Sequence, residues 1–226
     1  MPKDDSRTVI INNYWKRIIK NKRDIERLEF ETIESWIEPR TKILDLGCGD
    51  GTLGQRLLKR KGCIVHGIDI SEVAVEKAIE RGVIARKGDL DKKTDYPDNL
   101  FNHVILCDVL EHVFDPLTVL KEALRVGIKV IVSFPNFAML PARFELIAGH
   151  FPKSPLFGYN WHDTQHIHMF SISDFNRLIV QLKILTTKKE FLTTRPRFLP
   201  ISIRKKISGI WPNLLSAIAV FELVFP

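Results

Sequence analysis

The stretch Ile43-Leu44-Asp45-Leu46-Gly47-Cys48-Gly49-Asp50-Gly51 decides the fold of this chain. An apolar strand runs into a loop with glycine at every second position. A second apolar strand comes next and ends at Asp69. Glycine has no Cβ and tolerates positive φ, so such a loop leaves bare backbone beside whatever binds there. The dinucleotide fingerprint would read G-x-G-x-x-G, its third glycine packing helix against sheet. Here the spacing is G-x-G-x-G, with Asp45 two residues ahead of the first glycine.

Outward from that loop, short apolar runs alternate with helical patterns, as in a mostly parallel sheet covered on both faces. Strands are expected at 42–46, 64–68, 82–87, 103–107 and 129–134. Between them, 52–60 reads as a helix with Leu53, Leu57 and Leu58 inward, and 71–81 as a helix begun by a capping serine. Asp115-Pro116 supplies a cap and a first-turn proline for a helix carrying Leu117, Leu120 and Leu124 on one face. Before the first strand, Ile25, Leu28, Ile33, Trp36 and Ile37 fit a helix stopped by Pro39. Residues 1–38 therefore read as an N-terminal helical extension. Pro135, Pro141, Pro152 and Pro155 punctuate 135–170, read as an insertion lining an acceptor pocket. Residues 171–182 form a helix whose Ser171 and Asp174 suit a capping box. Strands six and seven are expected at 182–192 and 216–224, antiparallel to each other, and the whole of 1–226 as one domain.

A chain of 226 residues with 45% hydrophobic and 27% charged content suits a soluble globular protein. Its three cysteines, Cys48, Cys63 and Cys107, form no C-x-x-C pair, which argues against a disulfide framework or zinc site and suits the cytoplasm. No apolar h-region marks the first residues. The net charge of +7 is read as solvated faces, Arg204-Lys205-Lys206 among them. Without interleaved aromatics, nucleic acid is not the expected partner. Residues 207–226 imitate a membrane helix, but Pro212 and Glu222 interrupt a span that needs about 20 apolar residues. No membrane span is expected.

The ends of the strands carry a series of residues: Asp45, Gly47, Cys48, Gly49 and Gly51, then Asp69 and Ile70, then Asp89 and Leu90, then Asp108 and Val109. The G-x-G-x-G loop resembles motif I of the class I S-adenosylmethionine (SAM) methyltransferases, which implies a Rossmann-like, seven-stranded, mostly parallel sheet binding SAM at its strand ends. On that resemblance the three glycines admit the methionine part of SAM. Asp69 accepts hydrogen bonds from the ribose hydroxyls, or else caps the next helix, a task Ser71 does as easily. Asp89 faces the adenine amino group with Leu90 on the ring, or is a plain turn aspartate. Asp108 and Glu111 place negative charge near the sulfonium and ammonium groups. Asp45 ties the loop together or meets the ammonium through water. An NAD enzyme would use an acidic residue like Asp69, but not the whole series.

Further stretches narrow the resemblance. Val132-Ser133-Phe134-Pro135-Asn136-Phe137, Trp161-His162-Asp163-Thr164-Gln165-His166-Ile167-His168 and Pro212-Asn213-Leu214 join Gly88-Asp89-Leu90-Asp91 and Arg125-Val126-Gly127. Together they make the chain similar to the MetW family, associated with methionine biosynthesis. The resemblance implies a link to homoserine O-acyltransferase. Two departures stand out: residues 1–34 are longer and more basic than that family suggests, and Asp108-Val109-Leu110-Glu111-His112 is nearer the generic methyltransferase form than the family's glutamine-containing stretch.

Acceptor contacts are expected in residues 159–168. His162, His168 and His112 are the candidate catalytic groups, as bases for a hydroxyl or amine acceptor; structural hydrogen bonding is the competing role. The spacing of His162, His166 and His168 matches no zinc signature, so no metal is expected. Tyr14 and Trp15 suit either a lid over SAM or a packed amphipathic helix. The function expected is SAM-dependent methyl transfer to a small-molecule acceptor. The alternative is a SAM-responsive, non-catalytic accessory protein that binds homoserine O-acyltransferase.

Overall fold

Each apolar run preceding a glycine or aspartate turn becomes a strand, and each capped amphipathic run a helix. The computed structural model describes residues 4–21, 27–153, 160, 165–193 and 200–225. In chain order these form α1 (Asp4–Asn21), α2 (Leu28–Trp36), β1 (Lys42–Leu46), α3 (Thr52–Lys61), β2 (Ile64–Asp69), α4 (Glu72–Glu80), β3 (Ile84–Lys87) and β4 (Phe101–Cys107). Next come α5 (Pro116–Val126), β5 (Gly127–Pro135), α6 (Leu140–Ile147), α7 (Ile172–Gln181), β6 (Leu185–Leu192), α8 (Ile201–Ile210), α9 (Pro212–Leu215) and β7 (Ile218–Val224). The seven strands take the order β3-β2-β1-β4-β5-β7-β6. β1 pairs in parallel with β2 and β4, β2 in parallel with β3, and β6 antiparallel with β7. The expected Rossmann-like sheet is the one observed. Strand order reverses between β1 and β4, the place where open α/β sheets bind ligands.

The chain divides into two compact units, Met1–Cys107 with Leu117–Val130, and Asp108–Pro116 with Ile131–Pro226. In the first, Ile43, Leu44, Val65, Val104, Ile105, Leu57 and Leu120 are fully buried. Ser71 caps α4, its hydroxyl accepting from the Ala74 amide at 3.2 Å. β3 begins at Ile84 rather than at 82, because Gly82 (φ +91°) and the Val83 amide on the Ala78 carbonyl (3.0 Å) still belong to the close of α4.

The second unit is built on clustered rings. Phe134 lies 4.8 Å from Phe170, 4.7 Å from Phe175 and 5.9 Å from Phe221, centroid to centroid. α7 opens with the expected capping box between Ser171 and Asp174. β6 starts at Leu185, three residues later than expected, because Leu182 caps α7 and Lys183 takes φ +56°. The membrane-like stretch divides into the end of α8, α9 and β7. Glu222 is buried there but accepts from the Thr187 hydroxyl at 2.8 Å and pairs with Lys188 at 3.1 Å. Among the described residues no helix is long and apolar enough to cross a membrane.

Three helices, α6, α8 and α9, have no counterpart in the sequence reading. In α6 and α9 the proline read as punctuation stands in the first helical turn, where its missing N–H costs nothing. The basic run in α8 also differs from expectation. Arg204 is buried, donating to the Thr193 carbonyl at 3.4 Å, and Lys205 is paired with Glu190, so only part of the run is a solvated face.

Candidate cofactor site and histidine cluster

β1 and β2 bring the glycine loop and Asp69 together in the first unit. The Gly47 and Cys48 amides both donate to the Ile68 carbonyl, at 2.8 and 3.1 Å. The Gly49 amide donates to Asp69 Oδ2 at 2.9 Å, and the Ser71 amide to Oδ1 at 2.8 Å. Asp69 thus braces both loops, while Ser71 performs the helix cap. All three loop glycines have positive φ, from +52° to +77°. At Gly51 a Cβ would also come within 2.7 Å of the Ala78 Cα, so the third glycine admits close packing of α3 and α4.

Burial dominates the electrostatics. Asp45 is fully enclosed in β1, and desolvation first, then the charge of Asp69, raises its pKa to about 7 against the pull of Arg27. Burial also raises Asp69, but backbone amides at Ser71, Gly49 and Ile70 oppose the shift. Both carboxylates are thus held above their ordinary range, and only Asp69 has backbone amides that favour its charged form. The Cys48 thiol is pushed up by burial and by both aspartates, which leaves it an inert core group.

At the end of β3, the Gly88 amide donates to the Asp69 carbonyl at 2.9 Å, linking the two strand ends. Asp89 takes the turn role, Oδ1 accepting from the Asp91 amide at 3.1 Å, with Lys92 3.5 Å from Oδ2. It also lines, with Leu90, Ile68, Arg86 and Gly88, a pocket of about 310 Å³. Arg125 holds the far side of that loop, donating to the Tyr96 carbonyl (2.9 Å), to Glu122 (2.9 Å) and to Asp98 (2.5 Å).

α1 covers the glycine loop. Asn12 Oδ1 lies 2.6 Å from the Ser71 hydroxyl, and a Cβ on Gly49 would fall 2.5 Å from the Trp15 ring. Tyr14 meets that ring edge-on at 5.8 Å. Tyr14 and Trp15 are therefore part of a packed helix, laid on the loop itself. Asn12 and Arg27 are residues near this site that no motif announced.

In the second unit, Asp108 follows β4 with φ +54°, a conformation aspartate tolerates better than most residues. Its amide donates to the Ser133 carbonyl at 3.0 Å, and its carboxylate accepts from the Ser133 hydroxyl at 3.3 Å. Val109 and Glu111 are buried. The Glu111 carbonyl accepts from the Ile167 and His168 amides at 2.8 and 3.1 Å, which draws the histidine segment onto the turn after β4. His112 Nδ1 lies 3.0 Å from the Gln165 carbonyl, and its ring is 4.7 Å from that of His166. Desolvation, then His112, lowers the His166 pKa to about 3. His168 Nε2 lies 3.3 Å from the Phe114 carbonyl. His162 and Trp161 lie outside the described residues.

A strand-ending glycine loop, braced by an acidic residue from the next strand at the point of order reversal, defines a Rossmann-like domain of the class I SAM methyltransferase fold. Solved structures agree. Magnesium protoporphyrin IX methyltransferase from Synechocystis PCC 6803 with bound S-adenosylhomocysteine (SAH) superposes at TM-score 0.66 with 18% identity, covering 96% of this chain and 99% of that one. A SAM-dependent methyltransferase from Archaeoglobus fulgidus reaches 0.65 with 17% identity, covering 93% and 98%. The family model described as methionine biosynthesis protein MetW matches residues 27–223, and the chain belongs to that family. A bifunctional methionine biosynthesis protein MetXA/MetW from Rhodopirellula baltica is 30% identical over 172 residues, 71% of this chain and 28% of that protein. A ubiquinone biosynthesis O-methyltransferase from Neisseria meningitidis is 27% identical over 122 residues, 50% of this chain and 51% of that protein. The chain thus spans about half or less of the length of these relatives.

Proposed function

We propose that this MetW-family chain is a SAM-dependent methyltransferase acting on a small-molecule acceptor. The observation that carries the reading is the glycine loop braced onto Asp69 at the ends of β1 and β2. The residues fit the cofactor. Residues 47–51 present a glycine-rich backbone at the end of β1, Asp69 keeps carboxylate capacity beyond its three backbone amides for a ribose hydroxyl, and Asp89 and Leu90 line a pocket suited to the base. When bound, SAM supplies a methyl carbon already activated by its sulfonium. The protein's work is then to align the acceptor, exclude water and take any proton the acceptor loses. His168, drawn onto the turn after β4 by its amide's bond to the Glu111 carbonyl, is the candidate group for that last task.

Turnover is the direct test: purified chain, SAM and a panel of hydroxyl, amine and carboxylate acceptors, with SAH release as the readout. Asp69→Ala separates binding from chemistry. It is expected to weaken SAH binding roughly tenfold or more, because a charged acceptor of hydrogen bonds is lost. Unchanged affinity by calorimetry in the folded variant would remove the ribose assignment.

A second reading is supported by the Rhodopirellula relative, whose name joins a MetW part to another methionine-biosynthesis part. On that reading the chain binds homoserine O-acyltransferase and reports SAM level without transferring methyl. An acyltransferase activity that rises or falls with added chain and SAM, in the absence of SAH release, would favour it.

A further inference from the structure

The residues that the methyl-transfer reading uses least sharply form a distinct constellation in the second unit. Glu111, His112 and His166 each present one ligand atom, and these atoms lie within 4.8 Å of one another. We propose that they form a binding site for a divalent transition-metal ion of the zinc type, with coordination positions left open to water or an oxygen ligand.

The donor set argues for this class. Two imidazoles and one carboxylate suit zinc, cobalt, nickel or iron, whereas magnesium and calcium prefer oxygen alone. Three protein ligands leave a tetrahedral ion one open position, the arrangement of reactive rather than purely structural zinc sites. Metal–donor bonds of about 2.0–2.2 Å bring donors closer together than 4.8 Å, so small ring rotations complete the shell.

The surroundings prepare the ligands. Nδ1 of His112 faces the Gln165 carbonyl, which only accepts, so that nitrogen carries the hydrogen and Nε2 keeps its lone pair. A ligating histidine is ordinarily oriented by such a bond from its other nitrogen. The His166 ring meets that of Phe137 at 5.3 Å, nearly perpendicular to it, and this apolar wall limits how the imidazole turns. The backbone bonds from Ile167 and His168 to the Glu111 carbonyl hold the two ligand-bearing segments together without any metal. The spacing rule that set metal aside weighed only histidines within one segment. Here two ligands come from the turn after β4 and one from the loop before α7. The site does not depend on the methyl-transfer reading.

The full chain, stripped with a chelator, is titrated with Co²⁺ and monitored by visible absorption, with Zn²⁺ competition. One equivalent is expected to bind with a d–d band that Zn²⁺ abolishes. Affinity should fall at least tenfold in His112→Ala and in His166→Ala, and stay within twofold in His168→Ala. His166→Cys guards against variants that fail to fold: it should keep the metal and add a sulfur-to-cobalt charge-transfer band. Absence of saturable Co²⁺ binding by the unaltered chain would overturn the site. So would binding that His112→Ala and His166→Ala leave unchanged, or a cobalt spectrum unmoved in His166→Cys.

Discussion

At the scale of single residues, the buried pair Asp45 and Asp69 sets the chemistry of the glycine loop. Backbone amides stabilise negative charge on Asp69, whereas Asp45 meets only enclosure and its neighbour's charge, with a weaker pull from Arg27. Its folded pKa of about 7 stands above the ordinary 3.8. A raised folded value means that the stabilisation is full below pH 3.8 and is lost as pH rises through about 7. Asp45→Asn cannot ionise and escapes that loss. Relative to the unaltered chain it is expected to gain stability from about pH 5 to about pH 8, measured by urea denaturation at both. A constant difference across that window would place the proton elsewhere.

Elements are held by contacts that the family's signature stretches turn out to supply. Asn136 is buried and donates to the Asn213 and Ser216 carbonyls at 3.2 and 2.9 Å, while Asn213 accepts from the Ser173 amide at 3.4 Å. The two distant stretches are thus one latch. In Arg125-Val126-Gly127, the arginine anchors the loop after β3, and a Cβ on the glycine would strike Val104. α7 depends on its cap: Ser171→Ala should cost about 1 kcal/mol in chemical denaturation, since the hydroxyl's hydrogen bonds in the capping box are lost. α1 offers an optical probe. Trp15 lies on the loop that the proposed cofactor approaches, so adding SAH should change tryptophan emission in the unaltered chain and much less in Trp15→Phe. Equal changes in both would detach α1 from the site.

For the whole molecule, cofactor binding to the folded state alone should raise thermal stability. At SAH about a hundredfold above its Kd the gain is about 2.7 kcal/mol, or roughly 5–10 °C in Tm for a chain of this size. No shift in scanning calorimetry, at any concentration up to millimolar, would remove SAH as a ligand.

The parallel sheet, its antiparallel last pair, the caps at Ser71 and Ser171 and the family itself were legible from residue order, because strand periodicity, glycine spacing and cap chemistry act within a few residues of each other. α6 and α9 were missed because a proline can open a helix or end one, depending on the residues C-terminal to it. The several duties of Asp69, the raised pKa of Asp45, the cover of Trp15 over Gly49 and the meeting of Glu111 with two histidines were decided only by the tertiary structure. Burial, charge coupling and ligand geometry depend on distances in space, and residues 111 and 166 carry no local sign that folding will make them neighbours.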